Sequence, residues 1–208
     1  MPVPEIRPAT EGDLPTITEI YEHAVCYGTA TFELIPPDLA EMTRRFRALS
    51  DGGFPYFVAT VEGHVIGYAY AGPYRPRPAY RFTVENSVYL KPSTHRRGIG
   101  LQLMQRLIPE CEARGYRQMI AVIGDSANAG SIGLHTKCGF QMIGTHANVG
   151  LKFGRWLDTV LMQRALGELG VSSWFAGLRR DQARSRNAIR PLEYRHGRWK
   201  VHPIFDWR

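Results

Sequence analysis

The chain is poor in cysteine. Cys26, Cys111 and Cys138 are its three. They are odd in number and widely spaced, so they offer neither a disulfide framework nor a ligand cluster. No His/Cys grouping has zinc-ligand spacing, and no metal is expected. No continuous apolar run approaches membrane length, and no charged-then-apolar segment opens the chain. A membrane is therefore not an expected partner, and the expected location is the cytoplasm. Internal repeats are missing, and so are two nucleotide fingerprints. A P-loop needs Lys-Ser/Thr after its last glycine, but Leu101 and Gln102 follow Gly100. A dinucleotide loop needs another glycine three residues on, where Leu103 stands.

Most of the chain also lacks net charge. Residues 1–170 hold 17 Lys/Arg and 16 Asp/Glu, whereas 171–208 hold nine and three, so the overall +7 belongs to the tail. That distribution argues against nucleic acid as the main partner. At 208 residues the chain is expected to form one domain over 1–170, with 171–208 as a basic extension. Trp174, Trp199, Phe205 and Trp207 are interleaved with the extension's arginines. The extension reads as a solvated or partner-docked segment, with single-stranded nucleic acid or an acidic surface as the alternative contact.

What the chain does have is concentrated between Val88 and Gly100. An apolar strand pattern stops at Pro92, Arg96 and Arg97 precede Gly98 and Gly100, and a helical pattern begins at Leu101. Glycines let a main chain approach a ligand without Cβ interference. A helix N-terminus adds unpaired N–H groups and a positive dipole end. Together they suit a diphosphate held largely by main chain.

Around this loop the pattern alternates between strands and helices. Val3 to Arg7 reads as a strand, followed by a Thr10/Asp13 capping box and a helix carrying Leu14, Ile17, Ile20, Tyr21 and Ala24. A second helix carries Leu39, Met42, Phe46 and Leu49. Strands over 56–61 and 64–71 turn at Glu62-Gly63, and 83–90 is the next strand. A helix over 101–114 contains Pro109, where a kink or irregularity is expected. A strand over 119–123, a helix over 131–138, and strands over 140–149 and 159–164 complete the pattern. The order predicts a mixed α/β sheet with helices on both faces.

The segment His95-Arg96-Arg97-Gly98-Ile99-Gly100 resembles the acetyl-CoA loop Gln/Arg-x-x-Gly-x-Gly/Ala of the GNAT acetyltransferases, with His at the first position instead of Gln or Arg. Asn128, Ser131, Leu134, Gly139 and Phe140 match that family's second motif in order and spacing. The blocks Ala69–Tyr80, Thr83–Tyr89 and Ala121–Gly124 are similar to the phosphinothricin and methionine sulfoximine N-acetyltransferases, over roughly residues 5–168. The resemblance implies the GNAT fold, a central and mostly antiparallel sheet flanked by helices. It implies an acyltransferase using acetyl-CoA, with a small-molecule amine as partner and a homodimer whose contact lies near the late strands. Cofactor contacts are implied at Val88, Tyr89 and Leu90, at His95, Arg96, Arg97, Gly98, Ile99 and Gly100, and at Asn128 and Ser131.

Acetyl transfer needs a neutral amine, a polarised carbonyl and a protonated leaving sulfur. Glu85, on the strand before the loop, is the candidate general base, against the alternative of a solvated strand glutamate. His135 is the candidate acid or relay, against a satisfied helix histidine; Tyr89 and Ser87 are lesser candidates. Arg75 and Arg77, with Tyr80, suit capture of a carboxylate or phosphinate, which points to a small anionic amino acid presenting its α-amine. Phe32 is a candidate pocket wall. The rival enzymatic reading is acetylation of a protein N-terminus or lysine. The rival of another class is a noncatalytic acyl-CoA-binding module with a nucleic-acid-contacting tail.

Overall fold

The computed structural model describes residues 3–167, together with a two-residue strand pair at Tyr194–Arg195 and Arg198–Trp199. The rest of the expected basic extension lies outside the described residues. The described residues 3–167 form one compact unit.

Seven strands form one sheet: β1 (Glu5–Pro8), β2 (Tyr56–Val61), β3 (His64–Pro73), β4 (Thr83–Leu90), β5 (Gln118–Gly124), β6 (Gln141–Lys152) and β7 (Arg155–Ala165). Their order is β1-β2-β3-β4-β5-β7-β6. Every neighbouring pair is antiparallel except β4–β5. The expected mixed, mostly antiparallel sheet is therefore present.

Helices cover both faces. On one face lie α1 (Leu14–Tyr27) and α2 (Leu39–Asp51). Leu14, Ile17, Tyr21 and Phe46 from these helices pack on Tyr56, Val58 and Tyr68 of β2 and β3. On the other face α3 (Ile99–Ala113) presents Leu103, Met104 and Leu107 to Ala69, Val84, Met119 and Met162. Each such buried side chain contributes about 1.5–3 kcal/mol relative to exposure. α4 (Ala129–Lys137) follows β5 on this second face.

The elements differ from the sequence pattern mainly at their ends. α1 begins at Leu14, because Glu11–Asp13 form a separate 3₁₀ turn. The Asp13 carboxylate accepts the Thr10 N–H at 2.8 Å and is clamped by both terminal nitrogens of Arg7. These bonds hold the carboxyl at about 2, well below its ordinary value. α3 starts at Ile99, before Leu101, since Gly98 at φ +76° caps it. α4 starts at Ala129, before Ser131, because the Asn128 side chain accepts the Ser131 N–H at 3.1 Å. Pro109 does not interrupt α3. Pro109 is exposed, as is Gln105, the residue whose carbonyl the missing N–H would have served.

β6 and β7 are longer than the pattern suggested. They close through Phe153–Gly154, at φ +52° and +73°, and the hairpin of β2 and β3 closes through Glu62–Gly63 in the same way. Two consecutive positive φ values match the twist of a tight hairpin.

Candidate active site

β4 and β5 pair over only four positions, from Thr83↔Gln118 to Asn86↔Ala121. Beyond Asn86, β4 stays with β3 as far as Leu90, while β5 stays with β7 as far as Gly124. The sheet forks there. The fork opens into a cleft of about 1000 Å³, walled by the ends of both strands, the loop before α3, the first turns of α4 and the segment after α1.

The loop is shaped for an anion. Arg96 (φ +61°) and Gly98 (φ +76°) both adopt left-handed backbone. A Cβ at Gly98 would meet no protein atom within 4 Å, so the constraint there is the backbone angle. The N–H groups of the first turn of α3 precede its first helical bond, Gln102 N to Gly98 O at 3.1 Å, and remain available to a ligand. Gly100 has a second use. A Cβ there would come within 3.2 Å of Leu134, so the glycine lets α3 and α4 approach.

Of the residues singled out by sequence, Val88, Tyr89, Leu90, His95, Arg96, Gly98, Gly100, Asn128, Ser131 and His135 line the cleft. Arg97 and Ile99 do not, nor do Glu85, Arg75, Arg77, Tyr80 and Phe32, and the Ile99 side chain belongs to the core. The Tyr89 ring packs edge-on to Tyr21 at 5.1 Å and beside Tyr68 at 5.3 Å. Asn128 spends its acceptor on the α4 cap.

Glu85 stands on the other face of β4. Thr83, Glu85, Ser87 and Tyr89 alternate with Val84, Asn86, Val88 and Leu90, and Val84, Val88 and Leu90 pack on the α3 side. Burial pushes the Glu85 carboxyl above its usual range, and the Arg75 charge opposes the shift. Arg75 lies over the Tyr74 ring at 5.1 Å, and Tyr74 meets Tyr80 edge-on at 5.6 Å. Arg77 is exposed in the same segment. Phe32 lies against Gly124 and Gly150, at the far ends of β5 and β6.

His135 is buried, with 4% exposure. Its Nδ1 is 2.8 Å from the Ser131 carbonyl oxygen, and its Nε2 is 2.8 Å from the Asn86 side-chain nitrogen. Phe140 packs edge-on to the ring at 5.0 Å. Burial lowers the ring's affinity for a second proton, and the Ser131 carbonyl opposes this.

Sequence reasoning missed three residues. Asn86 is the last paired residue before the fork, and its Oδ1 is buried without a partner among the described residues. A polar residue inside a strand pattern was the available signal. Asp125, at φ +71°, accepts Arg155 at 2.9 Å and the Ala127 N–H at 3.0 Å, pinning the turn that leads into Asn128. Lys152 donates to the Thr31 carbonyl at 2.8 Å and ties β6 to the segment after α1. No local pattern announces that contact. Among the described residues no His/Cys/Asp/Glu cluster has metal-site geometry, and no helix is long and apolar enough to cross a membrane.

The acetyltransferase (GNAT) family model matches residues 17–140. The chain belongs to the GNAT family. The phosphinothricin N-acetyltransferase of Alcaligenes faecalis is 53% identical over 161 residues, which are 77% of this chain and 82% of that one. The L-methionine sulfoximine/L-methionine sulfone acetyltransferase of Pseudomonas paraeruginosa is 45% identical, over 76% of this chain and 92% of that one. A crystal structure of a GNAT superfamily phosphinothricin acetyltransferase from Sinorhizobium meliloti, in complex with acetyl-CoA, superposes with a TM-score of 0.78 at 50% identity. That match covers 81% of this chain and 91% of that one. A ribosomal-protein-alanine N-acetyltransferase from Brucella melitensis superposes at 0.76 with 42% identity, over 78% and 99% of the two chains. A phosphoadenosine phosphosulfate reductase domain model also matches residues 138–208. Within that stretch, β6 and β7 are hydrogen-bonded into the acetyltransferase sheet, so the match marks no separate domain there. This GNAT chain is an N-acetyltransferase.

Proposed function

We propose that this enzyme moves the acetyl group of acetyl-CoA directly to the α-amine of a small anionic amino acid or analogue, of the phosphinothricin, methionine sulfoximine or methionine sulfone type. The observation that carries the proposal is the fork, which opens beside a left-handed glycine loop, with a half-buried carboxyl, Glu85, on β4 one residue before the strands part. The names of the relatives support the acceptor class.

The residues fit coenzyme A. Main-chain N–H groups at Gly98 to Leu101 would hold the diphosphate, with Arg96 beside it. The cofactor supplies an activated thioester carbonyl. Glu85 takes a proton from the bound ammonium, and its raised proton affinity suits that task near neutral pH. The freed amine would form the N–C bond as the thioester's C–S bond breaks, and the proton that the nitrogen sheds on becoming an amide balances the one taken up by the departing sulfur. N–H groups of β4 beyond Asn86 that are turned to the fork can receive the carbonyl's developing charge. Arg75, whose charge already reaches Glu85, would meet the acceptor's anionic end, with Arg77 and Tyr80 in the same segment. Holding the two reactants together can contribute roughly 7–11 kcal/mol. A homodimer is part of the proposal. Met142, Ile143, Val149, Leu151 and Trp156 form an exposed apolar set on β6 and β7.

The test is thiol release from acetyl-CoA with a panel of amines. Turnover with phosphinothricin, methionine sulfoximine or methionine sulfone, and none with N-terminal alanine peptides, is the expected result. Preference for the peptides would transfer the enzyme to the protein-acetylating class represented by the Brucella neighbour.

A further inference from the structure

We infer that His135 is a positioning residue, held in one neutral tautomer, that acts by fixing the Asn86 amide at the base of the fork instead of moving protons. The inference deepens the proposed acetyl transfer and rests on that reading only for its kinetic arm.

The argument starts from the partners of the ring. A carbonyl oxygen carries no hydrogen, so the 2.8 Å contact with Ser131 O requires the proton on Nδ1. The Ser131 hydroxyl, 3.4 Å away, is the poorer partner for the same nitrogen. In the neutral ring Nε2 is then an acceptor, and the Asn86 amide donates to it at 2.8 Å. Both nitrogens are occupied, which leaves no N–H free for a departing sulfur. A second proton on Nε2 would face the amide's own N–H, in a site with 4% and 6% exposure for the two residues. The charged side chains of the surrounding elements are Lys137 of α4, Glu85 of β4, Arg106, Glu110 and Glu112 of α3, and Arg155, Asp158 and Arg164 of β7. None of them contributes to the ring's titration, which burial lowers and the Ser131 carbonyl opposes.

The arrangement has a use at Asn86. Its amide is the last side chain before the strands part, and without a fixed acceptor it could rotate and exchange Oδ1 for Nδ2. The histidine removes that freedom. The Nδ2 group also approaches the Met104 sulfur at 3.8 Å, which leaves Oδ1 as the atom without a partner. Asn86 begins the β4 segment along the fork, so its orientation sets the start of the wall against which the thioester would lie.

Two measurements on the full chain test this. Nitrogen-15 spectra of histidine-labelled native enzyme should show His135 as the Nδ1–H tautomer, unchanged from about pH 5.5 to 9. Titration within that range, or an Nε2–H pattern, overturns the inference whether or not the chain acetylates anything. In kinetics, His135→Gln keeps an acceptor for Asn86 and should retain kcat within about threefold, with the limbs of the pH profile unmoved. His135→Phe and Asn86→Leu should each lose roughly tenfold to a hundredfold, and the double variant no more than either alone. A His135→Gln loss as deep as that of His135→Phe, with one pH limb gone, makes the ring a proton carrier and ends the proposal. Failure of His135→Phe or Asn86→Leu to fold leaves the decision to the spectra and to His135→Gln.

Discussion

The Phe32 ring lies so close to Gly150 that a Cβ at that glycine would fall 2.3 Å from its Cε2 atom. The segment after α1 therefore rests on a bare patch of main chain. At Gly124 the same segment is nearer still, because a Cβ there would collide with the Thr29 carbonyl. Gly150→Ala should displace the ring and cost about 1–3 kcal/mol through overpacking. It should also raise KM for the amine. Phe32→Ala, introduced with it, should recover part of the stability. Denaturant unfolding of the three variants measures this, and strictly additive losses would contradict the contact.

Glu85→Gln should leave coenzyme A binding intact and lower kcat by roughly 100- to 10,000-fold. The native carboxyl works deprotonated, so the rate should fall as pH drops through its raised value, and that limb should vanish in the variant. Calorimetric titration with coenzyme A and a pH–rate profile check the two halves. Turnover within threefold of native would remove Glu85 from the mechanism.

Arg75→Gln deletes a charge that holds the Glu85 proton affinity down. The acid limb should therefore move to higher pH, while KM rises for anionic acceptors and little for neutral ones. An unmoved limb would show that the guanidinium is too well solvated to matter.

Gly98→Ala places a side chain at φ +76°, at a cost of about 1–2 kcal/mol. Part of that cost should appear as relaxation of the loop and a weaker Kd for coenzyme A. Isothermal titration reads it directly. An unchanged Kd with unchanged stability would mean that the left-handed turn is dispensable.

The Arg7–Asp13 pair predicts the acid behaviour of the fold. The folded carboxyl sits at about 2, against an ordinary 3.8. Its stabilisation is complete above the ordinary value and disappears as pH falls through about 2. The difference corresponds to about 2 kcal/mol. Asp13→Asn should be less stable by about that amount at pH 7 and should flatten the stability curve between pH 4 and 2. Urea unfolding at a series of pH values decides this, and a variant that keeps the native slope would assign the acid sensitivity elsewhere.

How far the sequence could be read depended on whether a signal was local. β4 matches its pattern to the residue, because apolar residues alternate from Val84 to Leu90 with Asn86 as the one break, and Pro92 follows two residues on. The starts of α3 and α4 were misjudged by two residues each, since Gly98 and Asn128 act as caps outside the apolar stripe. β6 was cut short because its register shifts at Met142/Gly144 and at His146/Gly150 break the period of two. The glycine loop was legible from spacing and chemistry together. The Asn86–His135 bond was not, because it joins residues 49 positions apart and neither type announces the other. Phe32 on Gly150 and Lys152 on Thr31 were hidden in the same way, since contacts between distant segments leave no periodic trace.

Beyond Asn86, β4 turns one row of main-chain donors and acceptors toward the fork and away from any strand. An open edge on the outside of a protein invites another chain to add itself. Here the edge lies in the middle of the sheet, screened by Gly28–Ala30 on one side and by the α4 entry on the other. If the proposed reading holds, a slim ligand bearing amides would bond there like an eighth strand. An interior edge of this kind would keep its hydrogen-bonding capacity for a small guest while lying apart from the outer edges of the sheet, β1 and β6.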